Sequence, residues 1–212
     1  MVSLSEYLEN PCGTLSVPYW KAKSIIVPKD MRIVHENAFS SDLLDKYDDT
    51  VYFRLLHDFS DISFSESPNF LIRTADIKDI DEMVAIINAS YYDLHVDSEQ
   101  LKAYTKTIVY DQRLWVFAVD KDSDKRIGCG IADFDAQAKE LSLEWIQVLP
   151  TWRRKGAGKA IVNGLLMRRP ESARFATVSG KVNNSTCPEK LYRKCGFNGH
   201  DYWHILKQKG AE

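Results

Sequence analysis

Apolar positions recur in two rhythms along this chain, one of helices and one of strands. The rhythms are clearest from residue 70 onward. Residues 70–73 read as a short strand. Over 76–90, Ile77, Ile80, Met83, Val84 and Ile87 recur at helical spacing behind acidic first turns, which predicts an amphipathic helix. Residues 98–110 repeat the pattern, with Leu101, Tyr104, Thr105 and Ile108 on one face. The continuous run at 114–119 (LWVFAV) is a buried type of strand. A polar turn at 121–125 leads into a second strand at 126–134, and so short a connection implies an antiparallel hairpin. Residues 140–149 are a further strand, stopped by Pro150. Residues 155–168 return to helical spacing through Ala160, Ile161, Leu165 and Leu166, with Pro170 past the end. A strand at 175–178, a short helix at 186–194 with Pro188 in its first turn and Gly196 beyond it, and a strand at 202–206 complete the pattern. The order β-α-α-β-β-β-α-β-α-β is that of an α/β (α+β) layer fold.

Before residue 70 the signals are mixed. Ser3 and Glu6 frame a capping box for a helix over 3–8, and Asn10-Pro11 and Cys12-Gly13 read as a turn. Residues 24–27 are a short apolar run ended by Pro28, residues 51–56 (VYFRLL) have strand character, and residues 60–69 read as a connector. Tyr19, Trp20, Phe39, Tyr52, Phe53 and Phe59 are too much aromatic surface to leave in water. Two regions are therefore expected: residues 1–69, an N-terminal extension packed on the core, and residues 70–212, the main domain.

Composition narrows the class. The chain has 212 residues, 44% hydrophobic and 27% charged, which excludes disordered and fibrous classes and is enough to bury a core without staples. Lys plus Arg is 28 against 30 for Asp plus Glu, a net charge of −2, so nothing global argues for a nucleic-acid or membrane partner. Cys12, Cys129, Cys187 and Cys195 form no CxxC pair. They are expected as reduced thiols in a cytoplasmic protein, with no metal site. The first ten residues lack the basic start and apolar stretch of a signal peptide, and no apolar run reaches a membrane-spanning length.

The chemistry is concentrated at 148–159, V-L-P-T-W-R-R-K-G-A-G-K. A strand, a basic glycine-containing turn and a helix start follow one another there. Helix N-termini present unpaired N–H groups and the positive end of the dipole, and glycines let a phosphate approach the backbone. Arg153, Arg154 and Lys155 add positive charge. The segment reads as a diphosphate cradle, although neither GxGxxG nor GxxxxGK[ST] is present.

These residues resemble those of the GNAT superfamily of N-acyltransferases. Val148, Pro150, Arg153, Gly156 and Gly158 fall on its V-x-P-x-x-[RQ]-x-x-G-x-[GA] pattern, and Leu191-Tyr192-Arg193-Lys194-Cys195-Gly196-Phe197 falls on its second signature, L-Y-x-K-x-G-F. The resemblance runs from Phe70 to about Leu206. The Asn that the family carries seven residues before the Tyr is Ser185 here, preceded by Asn183 and Asn184.

The resemblance implies a mixed, mostly antiparallel sheet with helices on both faces, acetyl-CoA as donor and co-substrate, no metal, and a small-molecule or protein amine as acceptor. By position, the backbone of Gln147, Val148 and Leu149 would bind the pantetheine arm. The turn of Arg153, Arg154, Lys155, Gly156, Ala157, Gly158 and Lys159 would bind the pyrophosphate, with Asn184 a further cofactor contact. Tyr192 matches the general acid that protonates the departing thiolate. Glu144 is the candidate general base; strand alternation puts it with Glu140 and Ser142, opposite Leu141, Leu143 and Trp145. Asp133, His95 and Tyr104 are further candidates for that role. Trp145 and Trp152 read as core packing or as a lid, and Arg168-Arg169 as a complement to a helix C-terminus. Two other readings stay open: a non-catalytic acyl-CoA-binding or sensing module, and a phosphate-binding protein of another fold.

Overall fold

In a computed structural model, residues 2–13, 17–60, 62, 66–91 and 94–210 are described. Contacts divide the chain into two units that do not follow chain order. One comprises residues 1–57 and 177–212, the other residues 58–176.

The first unit opens with α1 (Leu4–Glu9), capped by Ser3 and closed by the expected box with Glu6. It continues through α2 (Tyr19–Ala22), β1 (Met31–His35) and β2 (Tyr47–His57). The second unit holds β3 (Phe70–Thr74), α3 (Ile80–Ser90), α4 (Ser98–Tyr104), β4 (Trp115–Asp120), β5 (Arg126–Asp135), β6 (Glu140–Val148) and α5 (Ala157–Met167). Next, β7 (Phe175–Lys181) begins in the second unit and ends in the first, which α6 (Pro188–Lys194) and β8 (Asn198–Gln208) complete.

In the second unit β3, β4, β5 and β6 form a continuous antiparallel ribbon. Helices cover both of its faces. On one, Ile80, Met83, Ile86 and Ile87 of α3 and Leu101 of α4 cluster with Trp115, Phe117, Val119, Cys129 and Ile131. On the other, α5 lies so close to β5 that a Cβ on Gly130 would sit 2.3 Å from Ile161 Cγ2. That close seat fixes where α5 begins. Arg168 and Arg169 end the helix as expected: Arg168 Nη1 donates to Gly164 O at 3.0 Å and Arg169 Nη1 to Leu166 O at 3.0 Å. The sheet is mixed and mostly antiparallel, as the resemblance implied.

In the first unit β8 lies between β1 and β2, antiparallel to both. Arg54 of β2 organises the packing around it. It is 1% exposed, and donates through Nε to Pro11 O (2.9 Å), through Nη1 to Ser179 Oγ (3.1 Å) and through Nη2 to Tyr7 OH (2.7 Å). The indole of Trp203 donates to Cys12 O at 2.8 Å. The segment before β1 is thereby tied to strands of its own unit.

Several elements differ from the reading of the sequence. The helix over 76–90 starts as a 3-10 turn at Ile77–Asp79 closed by an Asp76–Asp79 capping box, which turns Ile77 out to 59% exposure. The helix over 98–110 stops at Tyr104, because Thr105 and Thr107 give their hydroxyls to Lys102 O and Tyr104 O and satisfy its last carbonyls. Ile108 is left fully in solvent. The apolar run at 24–27 is exposed and outside any element. The strand β1 gave no signal of its own; its pairing lies with β8. The connector at 60–69 lies partly outside the described residues.

Candidate active site

The strand that enters the cradle carries a bulge. Ile131 pairs with Trp145 and Ala132 with Leu143, so Glu144 is the extra residue of β6. Cross-strand partners share a face, so the bulge moves Trp145 to the face opposite Leu141 and Leu143. The expected alternation is therefore corrected: Trp145 lies with Gln147, Cys129 and Ile131 on the side of α3 and α4. A sequence gives no sign of a bulge in a run as regular as Leu-Ser-Leu-Glu-Trp.

Register also corrects which backbone groups are available. The Leu149 N–H donates to Ile127 O at 3.0 Å. Hydrogen-bonded pairs alternate along an antiparallel ladder, so Gln147 turns its backbone groups to Cys129 of β5, while Ile146 and Val148 turn theirs away from β5. Of the three residues expected to offer their backbone, Val148 turns its N–H out from this edge, its carbonyl accepting from Arg153. Ile146 joins it, a residue that reading by position missed.

The turn after β6 is built from its own side chains. Arg153 donates through Nε to Val148 O (3.1 Å) and through Nη2 to Ser90 O (2.9 Å), so its fork ties the turn to the ends of β6 and α3. Arg154 holds a left-handed φ of 65° and Gly156 one of 95°. At Gly156 a Cβ would meet nothing nearer than Phe70 Cε2 at 4.0 Å, so the space beside it is open and the backbone angle is what favours glycine. The first bond within α5 runs from the Ala160 N–H to Gly156 O at 3.0 Å. The amides of Ala157, Gly158 and Lys159 thus have no acceptor inside the helix. Arg154, Lys155 and Lys159 are the exposed cations, with Lys155 Nζ 4.6 Å from the Trp152 ring centre. Orphan amides, the positive helix end and three exposed cations fit a diphosphate. Arg153 serves this cradle by holding its shape.

On the α3–α4 side, Gln147 Nε2 donates to Tyr91 OH at 2.8 Å, and the Tyr91 ring meets Trp145 edge to face at 6.1 Å. Burial, with the nearby Asp111 adding to it, raises the pKa of the Tyr110 hydroxyl, which stays protonated at neutral pH. Burial alone also pushes the Cys129 thiol up, so that it is no thiolate nucleophile. Among the other candidates for the base, Asp133 is buried and pairs across the ladder with Ser142. His95 and Tyr104 are exposed.

Tyr192 and Asn184 belong to the first unit. Tyr192 is 6% exposed on α6, with its ring 6.1 Å from Phe53 and 6.0 Å from Phe197. The helix starts at Pro188, later than expected, because Cys187 before it is left-handed at φ 51°. Asn184 spends its side-chain oxygen locally, accepting from the Thr186 N–H (2.9 Å) and hydroxyl (2.7 Å). Among the described residues no cluster of His, Cys, Asp or Glu could hold a metal ion, and no helix is long and apolar enough to cross a membrane.

Residues 110–198 match the family model of the acetyltransferase (GNAT) domain. Among solved structures, the chain is similar to a GCN5-related N-acetyltransferase from Sphaerobacter thermophilus, at 17% identity and a TM-score of 0.68 over 89% of this chain and 64% of that one. It is similar to a GNAT-family acetyltransferase from Colwellia psychrerythraea (15%, TM-score 0.62, 90% and 69%). A third is the ribosomal-protein-S18-alanine N-acetyltransferase from Escherichia coli (16%, TM-score 0.51, 68% and 96%). At such identities the likeness is one of fold, and the chain spans just under two thirds of the Sphaerobacter protein's length. No curated protein matches the chain in sequence. The match to the acetyltransferase (GNAT) domain is thus carried by residues 110–198, and over the rest of the chain the likeness is one of fold.

Proposed function

We propose that the protein transfers an acetyl group from acetyl-CoA to a primary amine by direct attack, in the cytoplasm. The cradle at the start of α5 carries this reading: orphan amides at Ala157, Gly158 and Lys159, a left-handed Gly156 and exposed Arg154 and Lys155 fit the diphosphate of CoA. The outward-turned backbone of Ile146 and Val148 offers the pantetheine arm a strand-like edge.

Bound acetyl-CoA supplies a thioester whose carbonyl carbon the amine nitrogen attacks, so that a C–N bond forms and the C–S bond breaks. An ammonium cannot attack, so a base must first remove a proton. Glu144, set off from the ladder by the bulge, takes that proton directly or through water. Tyr192 gives its phenolic proton to the departing sulfur. A backbone N–H of the bulged strand is suited to the oxyanion.

The first test is calorimetric titration of acetyl-CoA and of CoA into the wild type and Gly156→Glu. Micromolar binding that is lost in the variant, followed by release of CoA thiol with an amine panel, is the expected outcome. Absence of binding to either ligand overturns the reading. Binding without thiol release would instead favour an acyl-CoA-sensing module.

A further inference from the structure

The bulge at Glu144 has brought aromatic and acidic side chains together on one face of β6. Because Trp115 pairs with Ile131 and Ile131 with Trp145, these three form one cross-strand row on the α3–α4 side. Trp115 and Ile131 are buried, but Trp145 is only partly so, as are Tyr91 and Tyr110. Tyr91 stands perpendicular to Trp145 (89°) with its hydroxyl held by Gln147, and Tyr110 meets Trp115 edge to face at 5.5 Å. The rings of Tyr91, Tyr110 and Trp145 pack against the core and remain partly exposed. Around α4, Leu94 and Tyr104 are 40% exposed and Ile108 93%. Beyond Trp145 the character changes at once. Glu144 follows at the bulge, and the next row on the same face is Asp133 opposite Ser142.

An apolar wall that ends at the partly exposed Glu144 carboxylate, with Asp133 buried behind it, matches a molecule that is a cation at one end and flat and apolar at the other. We infer that the acceptor is a small primary amine carrying a flat apolar group. Trp145 and Tyr91 determine that specificity, and the amine end lies toward Glu144. The inference rests on the acetyltransferase reading and deepens it. Aliphatic polyamines have no flat group to lay on Trp145, and a hydrophilic acceptor would gain nothing from it.

The test compares release of CoA thiol by the full chain with 2-phenylethylamine, n-butylamine and spermidine. The expected kcat/KM for 2-phenylethylamine exceeds that for n-butylamine by about tenfold or more, the scale that apolar pockets reach. Trp145→Ala should bring this ratio to about one through KM, and Trp145→Phe should keep most of it. Tyr91→Leu reads the same wall if Trp145→Ala does not fold. Calorimetry with acetyl-CoA separates the possible failures. No binding overturns the transferase reading and this inference together. Binding with none of the amines acetylated counts against the transferase reading as well as the inference, whereas binding with equal kcat/KM for the amines, with spermidine preferred, or with a ratio that survives both variants overturns the inference alone.

Discussion

Arg153 reaches back across its own turn and donates to the carbonyl of Val148 at 3.1 Å, while the other arm of its fork holds Ser90 O at 2.9 Å. A residue that the motif suggests as a phosphate ligand is here the brace of the cradle. Arg153→Ala should lower stability by about 1.5–3 kcal/mol, since hydrogen bonds from a charged donor are lost, and weaken acetyl-CoA binding as the turn loosens. Arg153→Lys should not restore it, because one ammonium cannot reproduce a planar fork onto two carbonyls. Thermal unfolding and calorimetry read both; full recovery by Lys would contradict the brace.

The Tyr192 ring is packed between Phe53 and Phe197, so Tyr192→Phe keeps the packing and removes only the hydroxyl. If that hydroxyl is the acid, kcat should fall by about 10²-fold or more, with acetyl-CoA affinity unchanged. A kcat within twofold of wild type would remove Tyr192 from the mechanism.

His204 is set between two carboxylates, Nδ1 to Asp49 Oδ2 at 2.8 Å and Nε2 to Glu36 Oε2 at 2.9 Å, and Phe39 stacks on its ring at 3.7 Å. Burial disfavours the imidazolium, but the hydrogen bonds to Asp49 and Glu36 outweigh it, and the pKa is raised above the ordinary histidine value. A raised folded-state pKa means stabilisation that is complete below about pH 6.5 and lost as pH climbs through the folded value. The stability gap between wild type and His204→Gln, measured by urea unfolding, should therefore be largest near pH 6 and narrow toward alkaline pH. A gap that widens with pH would refute the charged pairing.

Tyr7 offers its hydroxyl to a guanidinium that is 1% exposed. Tyr7→Phe should cost about 1.5–3 kcal/mol, and at roughly 2–4 °C per kcal/mol for a chain of this size the melting temperature should drop visibly. An unchanged melting temperature would show that α1 does not contribute to holding Arg54.

Periodic, locally connected elements were the ones legible in the sequence. The β4–β5 hairpin, the helices α3 and α5 and the capping box at Ser3 follow from neighbours a few residues apart. The cradle was legible too, since its glycines and cations are contiguous. What stayed hidden depends on partners far along the chain or on register. The strand β1 is defined by β8, and the bulge at Glu144 only by counting against β5. Arg153 read as a charge because a sequence does not say where a guanidinium's donors are spent. Ile146 was passed over because ladder parity is invisible until one hydrogen bond, Leu149 to Ile127, is known.

The insertion of β8 between β1 and β2 has a consequence for how the protein comes into being. During synthesis, β1 and β2 emerge early, yet the strand that must lie between them is more than a hundred residues away. The four-stranded ribbon of the second unit, whose strands pair in chain order, can form while the chain is still growing. The first unit must wait, with β1 unpaired and one edge of β2 open, until translation delivers the strand between them. Long-range pairing of this kind is slow, and open strand edges are prone to the wrong partner. The N-terminal segment is therefore where a nascent chain of this protein is most in need of shelter.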